Sequence, residues 1–177
     1  MKKISIILMA VLFFYSCNKN NSEDIFETAS YSPPHVVVDQ ALANELKSNP
    51  EEIIIDGKEL TLETFLARDF MPFGPVDGKP LICLIWFLGQ EGGILSETIS
   101  ISKVYVVNKH EVWICDSFVA GVNGTIENPG QNRFEVDVWD GPKWGPNIDV
   151  DVICEFSSHL GQSFKLMAKS QQITKSL

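Results

Sequence analysis

The chain has 177 residues, with 23 Asp and Glu against 14 Lys and Arg, which gives a formal net charge of −9. Binding to nucleic acid needs clustered Lys and Arg that neutralise phosphates, so this charge balance argues against nucleic acid as a partner. A chain of this length is typical of one domain with a sizeable core.

The first residues have the composition of a secretory signal. Lys2 and Lys3 precede an apolar run from Ile4 to Tyr15. This run is shorter than the roughly 20 apolar residues that a membrane-spanning helix needs. A short basic start followed by such a run is typical of a signal peptide. We therefore predict that residues 1–16 are a signal peptide and that they do not belong to the fold.

The signal ends in Phe14-Tyr15-Ser16-Cys17. This tetrapeptide resembles the lipobox of bacterial lipoproteins, in which a large apolar residue, a loosely defined position and a small residue precede a cysteine. The resemblance implies cleavage before Cys17, acylation of its thiol and amine, and attachment to a membrane. In such lipoproteins an Asp after the cysteine favours the inner membrane. Asn18 stands there instead, so the resemblance implies the outer membrane, with the protein facing the periplasm or the cell surface.

The segment that follows the signal has few apolar side chains and ends in Pro33 and Pro34. Such a composition is typical of a flexible tether, because it offers too little apolar surface to form a core. The predicted organisation is therefore a signal peptide at 1–16, a lipidated Cys17 and tether at 17–34, and a β-sandwich domain at 35–177.

The folded domain is predicted to begin with one helix and to continue as strands. Asp39 precedes QALANELKSN and Pro50 follows it, which indicates a short capped helix. Next, the Asp56-Gly57 pair in EEIIIDGKELTLE predicts a β-hairpin. TFLARDFMPFGPVDGKP contains three Pro and is expected to be irregular. PLICLIWFL is apolar throughout, which predicts a central strand buried on both faces with Trp86 in the core.

The rest of the chain alternates between apolar and polar residues. This alternation predicts further strands in ISISKVYVV, EVWICDSF, RFEVDVWDG, NIDVDVICEF and SFKLMAKSQQI. About seven to eight short strands at this spacing are typical of an all-β, antiparallel β-sandwich. The order of the strands resembles immunoglobulin-like and fibronectin-type domains. This resemblance implies an immunoglobulin-like architecture and no particular activity.

Three cysteines remain once Cys17 carries lipid. Cys83, Cys115 and Cys154 each lie in an apolar strand pattern. Because their number is odd, at most one disulfide can form within a chain. The sequence leaves two alternatives, three small buried apolar side chains or one bridge with a free thiol. None of the three has the spacing of a zinc site, so no metal and no cofactor are expected.

Acidic residues on the later strands are the candidates for chemistry. They could supply a carboxylate pair for acid–base catalysis or ligands for a cation, and they could equally form a charged outer face that keeps the sheet soluble. We expect these residues to form the charged outer face. The sequence shows neither a nucleophile elbow nor a phosphate-binding Gly loop, so we expect no enzyme activity and assign no catalytic residue. The acidic residues on the later strands are Glu135, Asp137, Asp140, Asp149, Asp151 and Glu155.

GPKWGP at 141–146 is the candidate binding loop. Its Gly-Pro corners restrain the backbone around Trp144, and an aromatic side chain held rigidly loses little entropy on binding. A Trp folded back as a lid over the core needs the same geometry, so both interpretations remain. Lys143 and the preceding Trp139 would extend a binding patch. GPKWGP and RDFMP at 68–72 resemble phrases of uncharacterised exported bacterial proteins, which implies no function.

Together these patterns predict a lipid-anchored protein of the cell envelope. Its β domain is expected to bind or scaffold without catalysis, and its ligand is expected to be a protein or a glycan. One alternative is an immunity or inhibitor lipoprotein whose acidity matches a basic toxin. A further alternative is a hydrolase that depends on a metal or on the strand carboxylates.

Overall fold

The computed structural model describes residues 33–55, 57–89, 99–121 and 132–176, all within the compact unit Tyr31–Leu177. The signal peptide, Cys17 and the tether up to residue 32 lie outside the described residues and stay predictions. Within the described ranges, no helix is long and apolar enough to cross a membrane.

The described residues are mostly β-strand with one helix, so the predicted all-β class is confirmed. Helix α1 also lies where the sequence predicts it. The elements are β1 (Val36–Val38), α1 (Gln40–Lys47), β2 (Glu52–Ile55), β3 (Lys58–Asp69), β4 (Leu81–Gly89), β5 (Ile99–Asn108), β6 (Glu111–Cys115), β7 (Val119–Gly121), β8 (Asn132–Gly141), β9 (Asp149–Ser158) and β10 (Ser163–Ser176).

Helix α1 begins at its predicted cap and covers one face of the sheet. Asp39 Oδ1 accepts hydrogen bonds from the backbone N–H groups of Ala41 at 2.8 Å and Leu42 at 3.0 Å. These bonds satisfy donors that have no partner within the helix. Ala43 and Leu46 are fully buried. They pack against the side of β5, β6, β9 and β10 that points away from the main core.

The strands follow one hydrogen-bonded order, β1-β6-β5-β9-β10-β3-β4-β8-β7, with β2 beside β3. Strand β10 joins two groups of strands. Up to Gln172 it pairs with β9, and from Ile173 onward it runs parallel to β3. A bulge between Ala168 and Gln171, where Ser170 has a left-handed φ of 55°, lies shortly before this change. We call β1, β5, β6, β9 and the first part of β10 half A, and the remaining strands half B.

The immunoglobulin-like sandwich of about seven to eight strands is not confirmed. The described residues form a curled open sheet of ten strands, and one of its pairs is parallel. Strands β1 and β7 have three residues each, which is too short for an alternating pattern. Residues 64–69, which the sequence predicts to be irregular, instead extend β3 to 12 residues.

Curling of the sheet brings the two halves face to face around one core. Phe87 of β4 packs edge-on against Phe156 of β9, with ring centroids 5.2 Å apart. These strands are separated in the sheet by β10 and β3. The contact therefore crosses the interior of the curled sheet.

Only one face of β4 is fully buried, which corrects the prediction of burial on both faces. Its core face carries Leu81, Cys83, Ile85 and Phe87, all fully buried. Trp86 points to the other face and is half-buried, and its Nε1 donates a hydrogen bond to Glu135 Oε2 at 2.8 Å.

Cys83, Cys115 and Cys154 are buried, free thiols, the first of the two alternatives that the sequence leaves open. Cys115 and Cys154 both pair with Val104 of β5, one on each side of it. Burial raises the pKa of all three thiols. Because the thiolate is the reactive form, these side chains are expected to be inert while the domain is folded.

Candidate functional site

An open cleft of about 510 Å³ lies where the edge of half A meets the end of β8 in half B. Half A contributes β6 and the residues that lead into β1, which pairs with β6. Half B contributes the last residues of β8. The cleft is lined by Pro33, Pro34, His35, Trp113, Ile114, Cys115, Asp116, Ser117, Phe118, Trp139 and Asp140.

A contact between Trp113 and Gly141 lies beside this cleft and joins the two halves. Trp113 is only 2% exposed. A Cβ atom at Gly141 would lie 2.5 Å from the Trp113 ring and 3.0 Å from Leu81 Cβ. The indole therefore lies directly on the glycine backbone, and a larger residue at 141 would push it away. We call this contact between Trp113, Gly141 and Leu81 the seam.

Trp139 is presented to the cleft by an irregularity in β8. Cys83 pairs with Val138 and Leu81 pairs with Gly141, so Trp139 and Asp140 together stand opposite a single residue of β4. Asp140 adopts a left-handed φ of 59°. This conformation is unfavourable for most residues other than glycine, although Asp and Asn adopt it more readily than the rest, and it is enriched at functional sites. Bulges of this kind redirect a side chain, and Trp139 is 53% exposed as a result.

The remaining lining gives the cleft both apolar and polar groups. Phe118 is half-buried and packs against the main core. The side chains of Asp116, Asp140 and His35 are exposed. Aromatic surface with a few polar groups around it is the usual composition of a ligand site. Across the described residues, no group of three or more His, Cys, Asp and Glu could hold a metal ion.

The predicted loop GPKWGP lies outside the lining of this cleft and is held by Arg68. The Arg68 side chain is buried, at 3% exposure. Its Nη1 donates to the carbonyl oxygens of Lys143 at 3.0 Å and Gly145 at 3.1 Å. Its Nε donates to the carbonyl of Lys79 at 3.0 Å, and its Nη2 donates to that of Asp77. Arg68 thus connects RDFMP to GPKWGP, and the two phrases form one structure.

Trp144 is half-buried and packs against the main core. This is the arrangement expected of a lid. Lys143 Nζ lies 2.5 Å from Asp77 Oδ2, and the hydrogen bond from Lys143 lowers the pKa of Asp77. Of the three predicted binding residues, the structure therefore places Trp139 in a cleft, Trp144 against the core and Lys143 in an ion pair.

The acidic strand residues do not gather at one place. Glu135 and Asp137 lie on the outer face of half B, and Asp140 lies in the cleft. The remaining three belong to β9 in half A, where two of them have structural partners. Asp151 accepts a hydrogen bond from the Ser170 backbone N–H at 2.9 Å and lies 3.7 Å from Lys47 Nζ.

Glu155 accepts a hydrogen bond from the hydroxyl of Tyr105 at 2.8 Å. Burial, together with this hydrogen bond and the charge of Glu155, raises the pKa of Tyr105 to about 12. The phenol therefore stays protonated and continues to donate at any physiological pH. The carboxylate of Glu155 therefore helps to hold β9 to β5. The contacts of Asp151 have a similar structural role.

Asp137 has a less favourable environment. Its Oδ1 atom is buried and has no hydrogen-bond partner among the described residues. Burial first, and the neighbouring carboxylate of Glu135 second, raises the pKa of Asp137. A carboxyl group whose pKa is higher in the folded chain binds protons more readily there, so the free energy of unfolding falls as pH rises through this range.

We therefore expect Asp137→Asn to raise the melting temperature at pH 7 by about 2–4 °C. The gain should shrink as pH falls and vanish below about pH 3, where the carboxyl is protonated in both states. Thermal unfolding across this pH range measures the effect. Asp149→Asn, at an exposed position of β9, removes the same charge and serves as the control. Equal gains in the two variants would mean that relief of net charge, and not the environment of Asp137, is responsible.

The residues of the cleft come from three separated parts of the chain: 33–35, 113–118 and 139–140. Sequence reasoning singled out Trp139 but missed His35, Trp113 and Phe118 as site residues, because no spacing pattern joins them. No known protein family, curated protein or solved structure matches this chain.

Proposed function

We propose that this chain is a lipid-anchored protein of the outer membrane whose β domain binds a glycan in the cleft beside Trp139, without catalysis. The observation that carries the proposal is the position of Trp139. Its indole is 53% exposed in an open cleft and is followed by Asp140 in a left-handed conformation. An exposed aromatic side chain next to backbone strain suits a contact residue better than a structural one.

A glycan matches the groups around this indole. A sugar ring has an apolar C–H face that can stack on Trp139 and hydroxyls that need hydrogen-bond partners. Asp116 and Asp140 supply acceptors and His35 supplies a ring nitrogen at the same cleft. The rigid sheet behind them reduces the entropy lost on binding. Immunoglobulin-like sandwiches, which the strand pattern of this sequence resembles, likewise present a ligand site on a rigid β framework.

The envelope location rests on the lipobox resemblance of Phe14-Tyr15-Ser16-Cys17. Acylation at Cys17 would make the attachment close to permanent, because two acyl chains already anchor a protein stably. Residues 17–34 would then act as the tether. Their last two residues, Pro33 and Pro34, line the cleft, so the tether would join the domain beside its binding site.

A basic protein is the second candidate ligand, as an immunity or inhibitor lipoprotein would require. The net charge of −9 and the two exposed carboxylates of the cleft favour it. Association between opposite charges weakens strongly with salt, whereas stacking of a neutral sugar on an indole does not. The salt dependence of binding therefore separates the two ligands.

The experiment compares two tryptophan variants of the full chain in detergent. Wild-type protein is screened against envelope and host glycans, and the affinity of the best ligand is then measured for each variant. We expect Trp139→Ala to weaken binding about tenfold or more, with little change in melting temperature. Trp144→Ala is the matched control, because Trp144 packs against the core outside the lining of the cleft.

Trp144→Ala should lower the melting temperature and leave the affinity of the folded protein unchanged. The proposal is wrong if wild type binds no glycan, or if Trp139→Ala binds as tightly as wild type. A ligand whose affinity depends on Trp144 and not on Trp139 would instead assign the site to the GPKWGP loop. A basic protein captured in a salt-sensitive manner would favour the second candidate.

A further inference from the structure

The connection between β3 and β4 presents bare apolar side chains to solvent. Within MPFGPV at 71–76, Phe73 and Val76 are fully exposed and Met71 is 55% exposed. Single exposed apolar residues are ordinary on protein surfaces, but a group of them on one short loop marks an interaction site. We call residues 71–76 the apolar loop.

Hydrogen bonds and two prolines hold the apolar loop in shape. The Gly74 N–H donates to the Met71 carbonyl at 2.9 Å, and the Gly78 N–H donates to the Pro75 carbonyl at 2.8 Å. At the start of the loop, the Met71 N–H donates to Asp69 Oδ1 at 2.9 Å. Consecutive turns therefore fix the backbone, and the exposed side chains have a defined presentation that lowers the entropy cost of binding.

The base of the loop is built around Phe70. Gly78 has a left-handed φ of 76°, and a Cβ atom there would lie 2.6 Å from the Phe70 ring. The guanidinium of Arg68 lies 4.9 Å from the centroid of the same ring, and Lys175 Nζ lies 5.3 Å from it. Phe70 thus supports the loop from below, while Phe73 and Val76 at its tip are fully exposed.

The charge around the apolar loop differs from that of the whole chain. Arg68 is buried, so the charges near the surface in residues 68–80 and 142–147 together with Lys175 are three lysines and two aspartates, and the exposed Asp140 lies at the same end; the chain as a whole carries −9. The two aspartates of these ranges are both paired, Asp69 with Lys79 at 2.6 Å and Asp77 with Lys143 at 2.5 Å. An anionic lipid surface would therefore meet about balanced charge here, although it would be repelled by the protein as a whole.

The apolar loop lies at the end of half B where the first described residues of the chain are found. Pro33 and Pro34 line the cleft together with Trp139 and Asp140. Gly141, the next residue of β8, pairs with Leu81. Leu81 is the first residue of β4, directly after the connection that contains the apolar loop. A tether that reaches a membrane from Pro33 would hold this end of the domain nearest to the lipid.

We propose that the apolar loop inserts into the lipid surface to which Cys17 attaches the chain. Met71, Phe73 and Val76 would lie among the upper acyl groups, with Lys79 and Lys143 at the level of the headgroups. The inference rests on the lipid anchor of the proposed function. It adds a second contact that fixes the orientation of the domain on the membrane.

The experiment measures the depth of the loop in the intact, full-length lipoprotein. Cysteine is introduced as Phe73→Cys or Val76→Cys and labelled with bimane, while the buried thiols of Cys83, Cys115 and Cys154 should not react. The protein is reconstituted in phosphatidylethanolamine–phosphatidylglycerol vesicles that contain a lipid with a nitroxide on its acyl chain. The parent chain is treated in the same way, and its fluorescence gives the background, which includes any label on Cys17.

We expect labels at 73 and 76 to lose more than about half of their fluorescence, because side chains inserted about 5–10 Å meet the nitroxide. Leu160→Cys is the matched control. Leu160 is also an exposed apolar residue, at 66%, but lies in the turn between β9 and β10. Its label should lose little fluorescence. Equal loss at 73, 76 and 160 would overturn the proposal.

Flotation of the same vesicles tests the anchor separately. A parent chain that floats with the vesicles, combined with no selective quenching at 73 and 76, rejects the apolar loop inference and leaves the anchor intact. A parent chain whose mass shows no acyl groups on Cys17 rejects the anchor, whatever the quenching shows. If the label at 73 is unquenched in vesicles but becomes shielded by one protein from an envelope extract, the loop docks on a protein and the membrane proposal is wrong.

Discussion

Replacement of Arg68 by Met is expected to lower the free energy of unfolding by about 3 kcal/mol or more. The guanidinium is buried and donates to four backbone carbonyls on two loops. Methionine occupies much of the same volume but has no donor, so those carbonyls lose their partner inside the protein. Loss of several hydrogen bonds at one buried position is among the mechanisms that give large destabilisation.

Two further variants make the Arg68 experiment specific. Arg68→Lys keeps the charge but cannot reproduce the planar fork, so its loss should be smaller than that of Arg68→Met and still clear. Lys175→Met, an exposed basic residue over the same Phe70 ring, should change the free energy of unfolding by about 0.5 kcal/mol or less. Denaturant unfolding gives all three values. If Arg68→Met matches Lys175→Met, the guanidinium does not hold the two loops.

Hydrogen exchange adds a structural readout to these energies. In Arg68→Lys, amides of residues 70–80 and 142–148 should exchange faster together, because the same side chain bonds to both segments. Amides of β5 and β9 should keep their protection. Faster exchange in one segment alone would contradict the assignment of a single structure to RDFMP and GPKWGP.

The seam between the two halves is expected to give the other large effect. Trp113→Ala should lower the free energy of unfolding by about 3–5 kcal/mol, because the indole is almost fully buried at the contact with Gly141 and Leu81. Gly141→Ala should cost about 1–3 kcal/mol by forcing the indole away from the backbone. The two residues share one contact, so their effects should not add.

A double-mutant cycle tests this coupling. Trp113→Phe leaves room beside residue 141, so Gly141→Ala should cost about 1 kcal/mol less in that background than in wild type. Gly161→Ala is the control, because a Cβ atom there would meet nothing within 4 Å and only the left-handed φ of 77° is strained. Its cost should be the same in both backgrounds. Full additivity of Gly141→Ala and Trp113→Phe would show that the seam does not hold the halves together.

Local features of the fold were predictable because they depend on neighbouring residues. The Asp39 cap fixes the start of α1, and the alternation in RFEVDVWDG and NIDVDVICEF places β8 and β9. The order of the strands was not predictable in the same way. The parallel pairing of β10 with β3 joins residues more than 100 positions apart, and the bulge before it is at Ser170, a polar residue in a left-handed conformation that no turn signal marks.

The candidate site was predictable only in part. Trp139 was singled out because it lies on a strand that leads into a Gly-Pro loop, and the structure places it in the cleft. The choice between lid and contact residue for Trp144 could not be made from the sequence. That choice depends on Arg68, which lies 75 residues before Lys143 in the chain. For the apolar loop the sequence predicts only an irregular crossing, since exposure of Phe73 and Val76 is not visible in a sequence.

The parallel pair of β3 and β10 also sets an order of events when the chain is made. Thr174 Oγ1 donates to the carbonyl of Leu66 across a separation of 108 residues. A chain that emerges from a ribosome or a translocation pore with its N-terminus first must therefore leave β3 without this partner until β10 has followed. During that interval the edge of β3 that later pairs with β10 is available to other chains, a situation that favours aggregation. The exposure of this edge therefore ends only when β10, the strand that joins the two halves, has emerged. A chaperone would be needed most before β10 emerges.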